Sequence, residues 1–267
     1  MMEKQVVYKD ITVNYEKQGK GEAVFFIHGF CEDHTMWEAI IPKLTKEYSI
    51  LCPDLPGFGK SSLGNEPLSI VWMAEMINFI LRCEKIETCT IIGHSLGAYV
   101  GIHFAELYPD KIKALGFINS HVFDDGEEKR MNRKKSIEFI RNHTAKLFIR
   151  ELINNLFSER FKKDHKDTVL ALIKEAQSNV TDEAIIANLQ AMAARADKQD
   201  VLKKFSKPVL FLIGEEDATI PIEQSMRQVS FPMQSDIHVR EHIAHMSIYE
   251  DKDYSIEAIY SFLRRND

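Results

Sequence analysis

From Gln5 to about Ser120, short β-rich runs alternate with stretches whose apolar residues recur at helical spacing. Ala23–Ile27, Ser49–Cys52, Cys89–Ile92, Ala114–Ile118 and Val209–Ile213 are continuous or nearly continuous apolar runs, stopping at His28-Gly29, Pro53-Asp54, Gly93, Asn119-Ser120 and Gly214. Runs of this kind suit strands buried on both faces of a parallel sheet. Val6–Tyr8 and Ile11–Tyr15 predict a β-hairpin of exposed strands, and Ile237–Arg240 a last strand before a helix over about 255–264. Between the runs, Ser69–Cys83 and Ala98–Tyr108 carry helical spacing. The units are therefore βαβ, and the predicted class is α/β with a mostly parallel, doubly wound sheet.

Residues 121–205 break the alternation and predict helices over about 127–143, 145–156, 166–178 and 181–195. In the last of these, Ile185, Leu189 and Met192 share one face. The strand pattern resumes at Pro208. Two clean linkers would mark a separate domain, and neither is present. The expected organisation is a core of 1–120 and 206–267 interrupted by a helical lid, 121–205, inserted after the sixth strand.

With 34 Lys+Arg against 40 Asp+Glu, the chain of 267 residues has a formal net charge of −6. That balance argues against a dedicated nucleic-acid binder, which needs a basic face. The one basic stretch, Lys129–Lys135, follows Asp124, Asp125, Glu127 and Glu128 and reads as a solvated helix face. The start MMEKQVVYKD has no apolar signal region, and Leu68–Cys83 is too short to span a bilayer. The expectation is a cytoplasmic protein, bound to no membrane and taking a small-molecule substrate. Cys31, Cys52, Cys83 and Cys89 lack CxxC spacing and are expected to be reduced. Three read as small core residues, while Cys31 follows a functional loop and is left open. No metal or cofactor is expected: no GxGxxG follows a strand, and His238 and His242 stand four apart in and just after an extended run, too far to share an ion.

The chemistry concentrates at Gly93-His94-Ser95-Leu96-Gly97, which follows an apolar strand and opens a helix. A sharp strand-to-helix turn lifts its central side chain clear of the sheet, and the flanking glycines remove Cβ atoms that would clash. A serine hydroxyl there needs a base and an acid to orient it. His245, between Ile237–Arg240 and the final helix, is the favoured base; His242 reads as a residue that caps the strand end. His94 should point away from Ser95. Asp217, after Val209–Ile213, is the favoured acid, with Asp124 second. The backbone N–H groups of Phe30 and Leu96 would complete an oxyanion hole, and His28 would hold that loop by hydrogen bonds. His121, Phe123, Ile220 and Met246 are expected to line the substrate pocket with Phe30 and Leu96.

The strings HGFCEDHTMW (28–37), DLPGFGKS (54–61), GHSLG (93–97), LIGEEDATIP (212–221) and AHMSIYE (244–250) resemble the α/β-hydrolase superfamily. They look most like its compact lidded branch of esterases, perhydrolases and small C–C hydrolases. The resemblance implies a triad of Ser95, Asp217 and His245, with Phe30 and Leu96 as oxyanion donors. It also implies a structural turn at Asp54, Gly57 and Gly59. Ala244 departs from the glycine usual before the base. A serine nucleophile, where an aspartate would serve epoxide hydrolases and dehalogenases, points to acyl transfer. The first functional expectation is a serine hydrolase of small or medium carboxylic esters. The second uses the same triad for C–C cleavage or a menaquinone-pathway type of lyase step, and the third is a non-catalytic ligand-binding protein.

Overall fold

The apolar runs pair side by side in a computed structural model that describes residues 2–178 and 180–266. Among the described residues there are eight strands: β1 (Met2–Tyr8), β2 (Ile11–Gly19), β3 (Glu22–Ile27), β4 (Tyr48–Pro53), β5 (Cys89–His94), β6 (Ile112–Ile118), β7 (Val209–Gly214) and β8 (Ser235–Arg240). They form one sheet in the order β1-β2-β4-β3-β5-β6-β7-β8. The β1–β2 and β2–β4 pairings are antiparallel and the remaining ones parallel. The predicted hairpin forms, but of its two strands β1 alone is an edge. Strand β2 lies between β1 and β4, so Ile11, Val13 and Tyr15 are buried rather than exposed.

Alternate residues of the central strands feed two cores, which is the period-two consequence of a sheet covered on both faces. Helices α1 (Ile41–Leu44) and α12 (Lys252–Arg265) cover one face; α2 (Ile70–Cys83) and α3 (Leu96–Leu107) cover the other. Val24, Phe26, Ile92 and Leu212 pack with Leu44 and Phe262. Phe25, Ile27, Ile91 and Phe211 pack with Ile77, Val100 and Phe104. The sheet is doubly wound, as the sequence predicts.

Among the described residues between β6 and β7 the elements are all helices: α4 (Glu127–Asn142), α5 (Ala145–Leu156), α6 (Glu159–Asp164), α7 (Lys166–Ser178), α8 (Asp182–Ala193) and α9 (Gln199–Lys203). Two short ones escape the sequence pattern. Helix α6 buries none of its residues, so it carries no apolar period, and it starts on a Ser158 cap to Phe161 N–H. Helices α10 (Ile222–Gln228) and α11 (Ser247–Glu250) complete the core. Among the described residues, no helix is long and apolar enough to cross a membrane.

All four cysteines are free; Cys31, Cys52 and Cys89 are buried, whereas Cys83 is exposed at the end of α2 and is not a core residue. Burial pushes the Cys31 thiol well up, with Glu32 adding to the effect, so it stays protonated.

Candidate active site

The turn after β5 is strained in the way the glycine spacing predicts. Ser95 sits at φ 48°, ψ −110°, outside the regions open to most L-residues. A Cβ on Gly93 would lie 2.3 Å from Ala98 N, and one on Gly97 would lie 2.1 Å from the Ile27 carbonyl oxygen. The second contact shows how closely the elbow abuts the end of β3, which brings the loop carrying Phe30 beside Ser95. Ser95 N–H donates to Ile118 O (3.0 Å), and Ser120 Oγ donates to Ser95 O (2.8 Å), tying the elbow to the end of β6.

His245 Nδ1 donates to Asp217 Oδ2 at 2.7 Å, with both side chains buried. Asp217 Oδ1 accepts from the N–H groups of Thr219 and Ile220, each at 2.9 Å, so the carboxylate is fixed before it meets the ring. With its proton on Nδ1, the ring keeps a lone pair on Nε2. Ser95 and His245 line one cavity of about 560 Å³ with Phe30, Glu32 and His94.

The alternatives separate cleanly. His242 does not cap the strand: it sits at φ 63° with an exposed ring paired to Glu216 at 3.2 Å. Asp124 pairs with Arg130 at 2.5 Å on the cavity wall. His28 holds its loop as expected, its Nε2 accepting from Leu55 N–H (2.8 Å) while Nδ1 donates to Gly29 O (2.7 Å).

His94 has a role the sequence does not reveal. Its Nδ1 donates to Glu32 Oε2 (2.8 Å) and its Nε2 to the His245 carbonyl (2.9 Å). Both partners are acceptors, so both nitrogens carry protons. Burial opposes that charge, but Glu32 outweighs it and holds the imidazole above its ordinary 6.5. Burial likewise works to raise Glu32, and the His94 cation brings it below its ordinary 4.5. Glu32 Oε2 also accepts from Gly29 N–H at 2.6 Å. One carboxylate therefore braces the Phe30 loop and, through His94, the His245 loop. Asn119 adds a third brace, donating from Nδ2 to Ala244 O at 3.0 Å. Neither residue stands in a pattern that spacing alone would pick out.

The expected pocket residues divide. His121 lines the cavity; Phe123, Ile220 and Met246 do not. Phe123 turns toward Phe231 and lies under the Arg227 guanidinium, 4.7 Å from the ring centre. Ile220 is fully buried in the core. Met246 lines a separate small cavity of about 50 Å³ with Cys31 and Tyr249. The walls come instead from Leu152 and Leu156 of α5, Leu189 and Met192 of α8, and a polar face of α4. Lys129, Asn132 and Arg133 belong to that face, which corrects the reading of Lys129–Lys135 as purely solvated. Arg133 is spent on buried Asp125, which also accepts from Arg195 Nη1 at 2.7 Å.

Asp33, His34 and Asp54 bring potential metal ligands within 4.8 Å of one another. Their chemistry suits a turn better than an ion. The Asp54 carboxylate accepts from His34 N–H, Asn14 Nδ2 and Lys60 N–H. Burial opposes protonation of His34, yet its hydrogen bond to Asp54 lifts it to about 8, leaving no lone pair to offer.

Residues 22–252 match the alpha/beta hydrolase fold family, and the chain belongs to it. It is a hydrolase of that fold. A thermophilic esterase from Thermogutta terrifontis, solved with malate bound, superposes with a TM-score of 0.92 at 27% identity over 99% of both chains. A pimeloyl-[acyl-carrier protein] methyl ester esterase from Aeromonas hydrophila is 26% identical over 79% of this chain and 83% of its own. The 2-hydroxy-6-oxo-6-(2'-aminophenyl)hexa-2,4-dienoic acid hydrolase of Metapseudomonas resinovorans is 23% identical over 96% of this chain and 88% of its own.

Proposed function

We propose that the protein is a serine esterase acting on small or medium carboxylic esters through an acyl-enzyme. The observation that carries this reading is the His245–Asp217 pair at 2.7 Å, with its ring on the same cavity as a serine held at φ 48°. Ser95 Oγ attacks the acyl carbon while its proton passes to His245 Nε2. The N–H groups of Phe30 and Leu96 receive the oxyanion, and the positive end of α3 favours the same charge. Collapse breaks the C–O bond, and the alcohol leaves with the proton from His245. Water, deprotonated by the same nitrogen, then releases the acid and restores Ser95. Asp217 holds the ring in the tautomer that keeps Nε2 free. The helices of 121–205 act as the lid, since α4, α5 and α8 wall the cavity.

The two esterase relatives support the ester reading, and the Metapseudomonas relative keeps C–C hydrolysis by the same residues as the second one. Turnover of 4-nitrophenyl esters tests the first. Ser95→Ala should fold normally and lose activity by a factor on the order of 10⁴–10⁶. A serine-directed phosphonate should add its mass at Ser95 alone. Labelling elsewhere, or an active alanine variant, removes Ser95 from the role.

A further inference from the structure

His121 stands three residues past the end of β6, and its ring lies 5.6 Å from that of Tyr99, one helical turn along α3 from Ser95. The side chain is 1% exposed and lines the catalytic cavity. Its Nδ1 accepts from Phe123 N–H at 3.1 Å. Nδ1 therefore supplies the lone pair, and in a neutral ring the proton sits on Nε2. Burial, with Lys129 and Arg195 nearby, holds this imidazole well below its ordinary 6.5, so the ring is neutral. That Nε2–H is buried and has no hydrogen-bond partner. An unmade bond of this kind costs roughly 1–3 kcal/mol, so a fold retains it where something else supplies the acceptor.

We infer that His121 Nε2–H is a specificity donor for an oxygen acceptor carried in the acyl chain of the substrate, beyond the scissile carbonyl. This deepens the ester reading and rests on it. The acyl half is the one that remains on Ser95 after the alcohol departs, and a leaving group needs an exit, so a donor this deep faces the half that stays. The cavity it lines also carries Leu189 and Met192 of α8, facing the polar α4 residues Lys129, Asn132 and Arg133. A purely hydrocarbon acyl chain leaves the donor unpaired, whereas a ketone oxygen at the right reach satisfies it. The site thus selects keto-acyl over alkyl-acyl esters, because its penalty falls on the substrate that lacks the oxygen.

Two near-isosteric variants divide the ring's two nitrogens. His121→Asn keeps an acceptor for Phe123 N–H and removes the donor to the cavity. His121→Gln keeps a donor near Nε2 and removes the acceptor. The assay is kcat/KM for 4-nitrophenyl 4-oxopentanoate against 4-nitrophenyl pentanoate, which differ only in the ketone oxygen. The wild type should favour the oxo ester by roughly tenfold, the worth of one buried hydrogen bond. His121→Asn should bring the ratio near one and His121→Gln should keep most of it. A purely structural histidine predicts an unchanged ratio in both variants, and that result overturns the assignment. Calorimetric binding of methyl 4-oxopentanoate and methyl pentanoate to the Ser95→Ala variant gives the same comparison without turnover. Should the wild type hydrolyse neither ester, the esterase reading falls, and the binding ratio alone decides on His121.

Discussion

Glu32→Gln is the most informative single change, because Glu32 touches both halves of the site without touching the reacting atoms. Its Oε2 takes Gly29 N–H at 2.6 Å and His94 Nδ1 at 2.8 Å, and the paired side chains are 10% and 1% exposed. Removing one partner of a buried ion pair costs about 3–5 kcal/mol. Glutamine keeps an acceptor for Gly29 N–H, which restores about 1 kcal/mol. The expected net loss is therefore about 2–4 kcal/mol, seen as a fall in Tm of several degrees in a domain of this size. His94, no longer held as a cation, gives up a donor, so the His245 carbonyl or its neighbour loses a bond. Activity toward a chromogenic ester should drop at least tenfold, mainly in kcat. The pH dependence carries a sign. Glu32 is lowered in the fold, so its contribution is present above its ordinary 4.5 and lost as pH falls through the lowered value. His94 is raised, so its contribution is complete below its ordinary 6.5 and lost as pH rises through the raised value. The stability gap between wild type and variant should thus be widest between about pH 4.5 and 6.5 and close on the alkaline side. Urea unfolding of both proteins from pH 4 to 9 measures it. A variant of unchanged activity, or a gap that does not vary with pH, refutes the reasoning.

His245→Ala should abolish phosphonylation of Ser95 while His242→Ala retains most activity, since the His242 ring is exposed and paired with Glu216; the reverse pattern would move the base. His103, buried in α3, is lowered by burial to about 4 and stays neutral. The unfolded chain binds that proton from about pH 6.5 downward, so stability should decline by roughly 3 kcal/mol between pH 6.5 and 4. Equilibrium unfolding across that range should show a shallower acid decline in His103→Leu, and an unaltered slope would rule the histidine out as its source.

The sheet is legible in the chain because five interior strands are apolar on both faces, a pattern few other environments produce. Ser95 and Asp217 are legible as candidates because each follows such a strand, and His245 because it follows the alternating last strand β8, so strand ends bring together what sequence separates. Glu32, Asn119 and His94 show what sequence hides. Their function lies in which carbonyl or N–H they reach, and those partners sit far off in the chain, as with His94 and the His245 carbonyl. Phe123 and Ile220 fail as pocket residues for a related reason. An apolar side chain near a strand end can turn either way, and the ring of Phe123 turns under Arg227. The α4 charges mislead because helical periodicity separates faces but does not say whether the polar face meets solvent or a cavity.

Strands β6 and β7 pair directly, Leu115 opposite Val209 through Ile118 opposite Leu212, although the helices from α4 to α9 separate them in the chain. The sheet closes across the root of that insertion as if it were a long loop, and Ser95, Asp217 and His245 each follow a strand of the sheet, with one tie to the insertion where His245 N–H donates to Leu156 O of α5. Length changes among the intervening helices away from the end of α5 therefore leave the β6–β7 register, and with it the strand ends that position Ser95 and Asp217, in place. A lineage carrying this architecture can therefore reshape the α4, α5 and α8 walls of the cavity by editing one contiguous stretch of chain while the sheet stays paired.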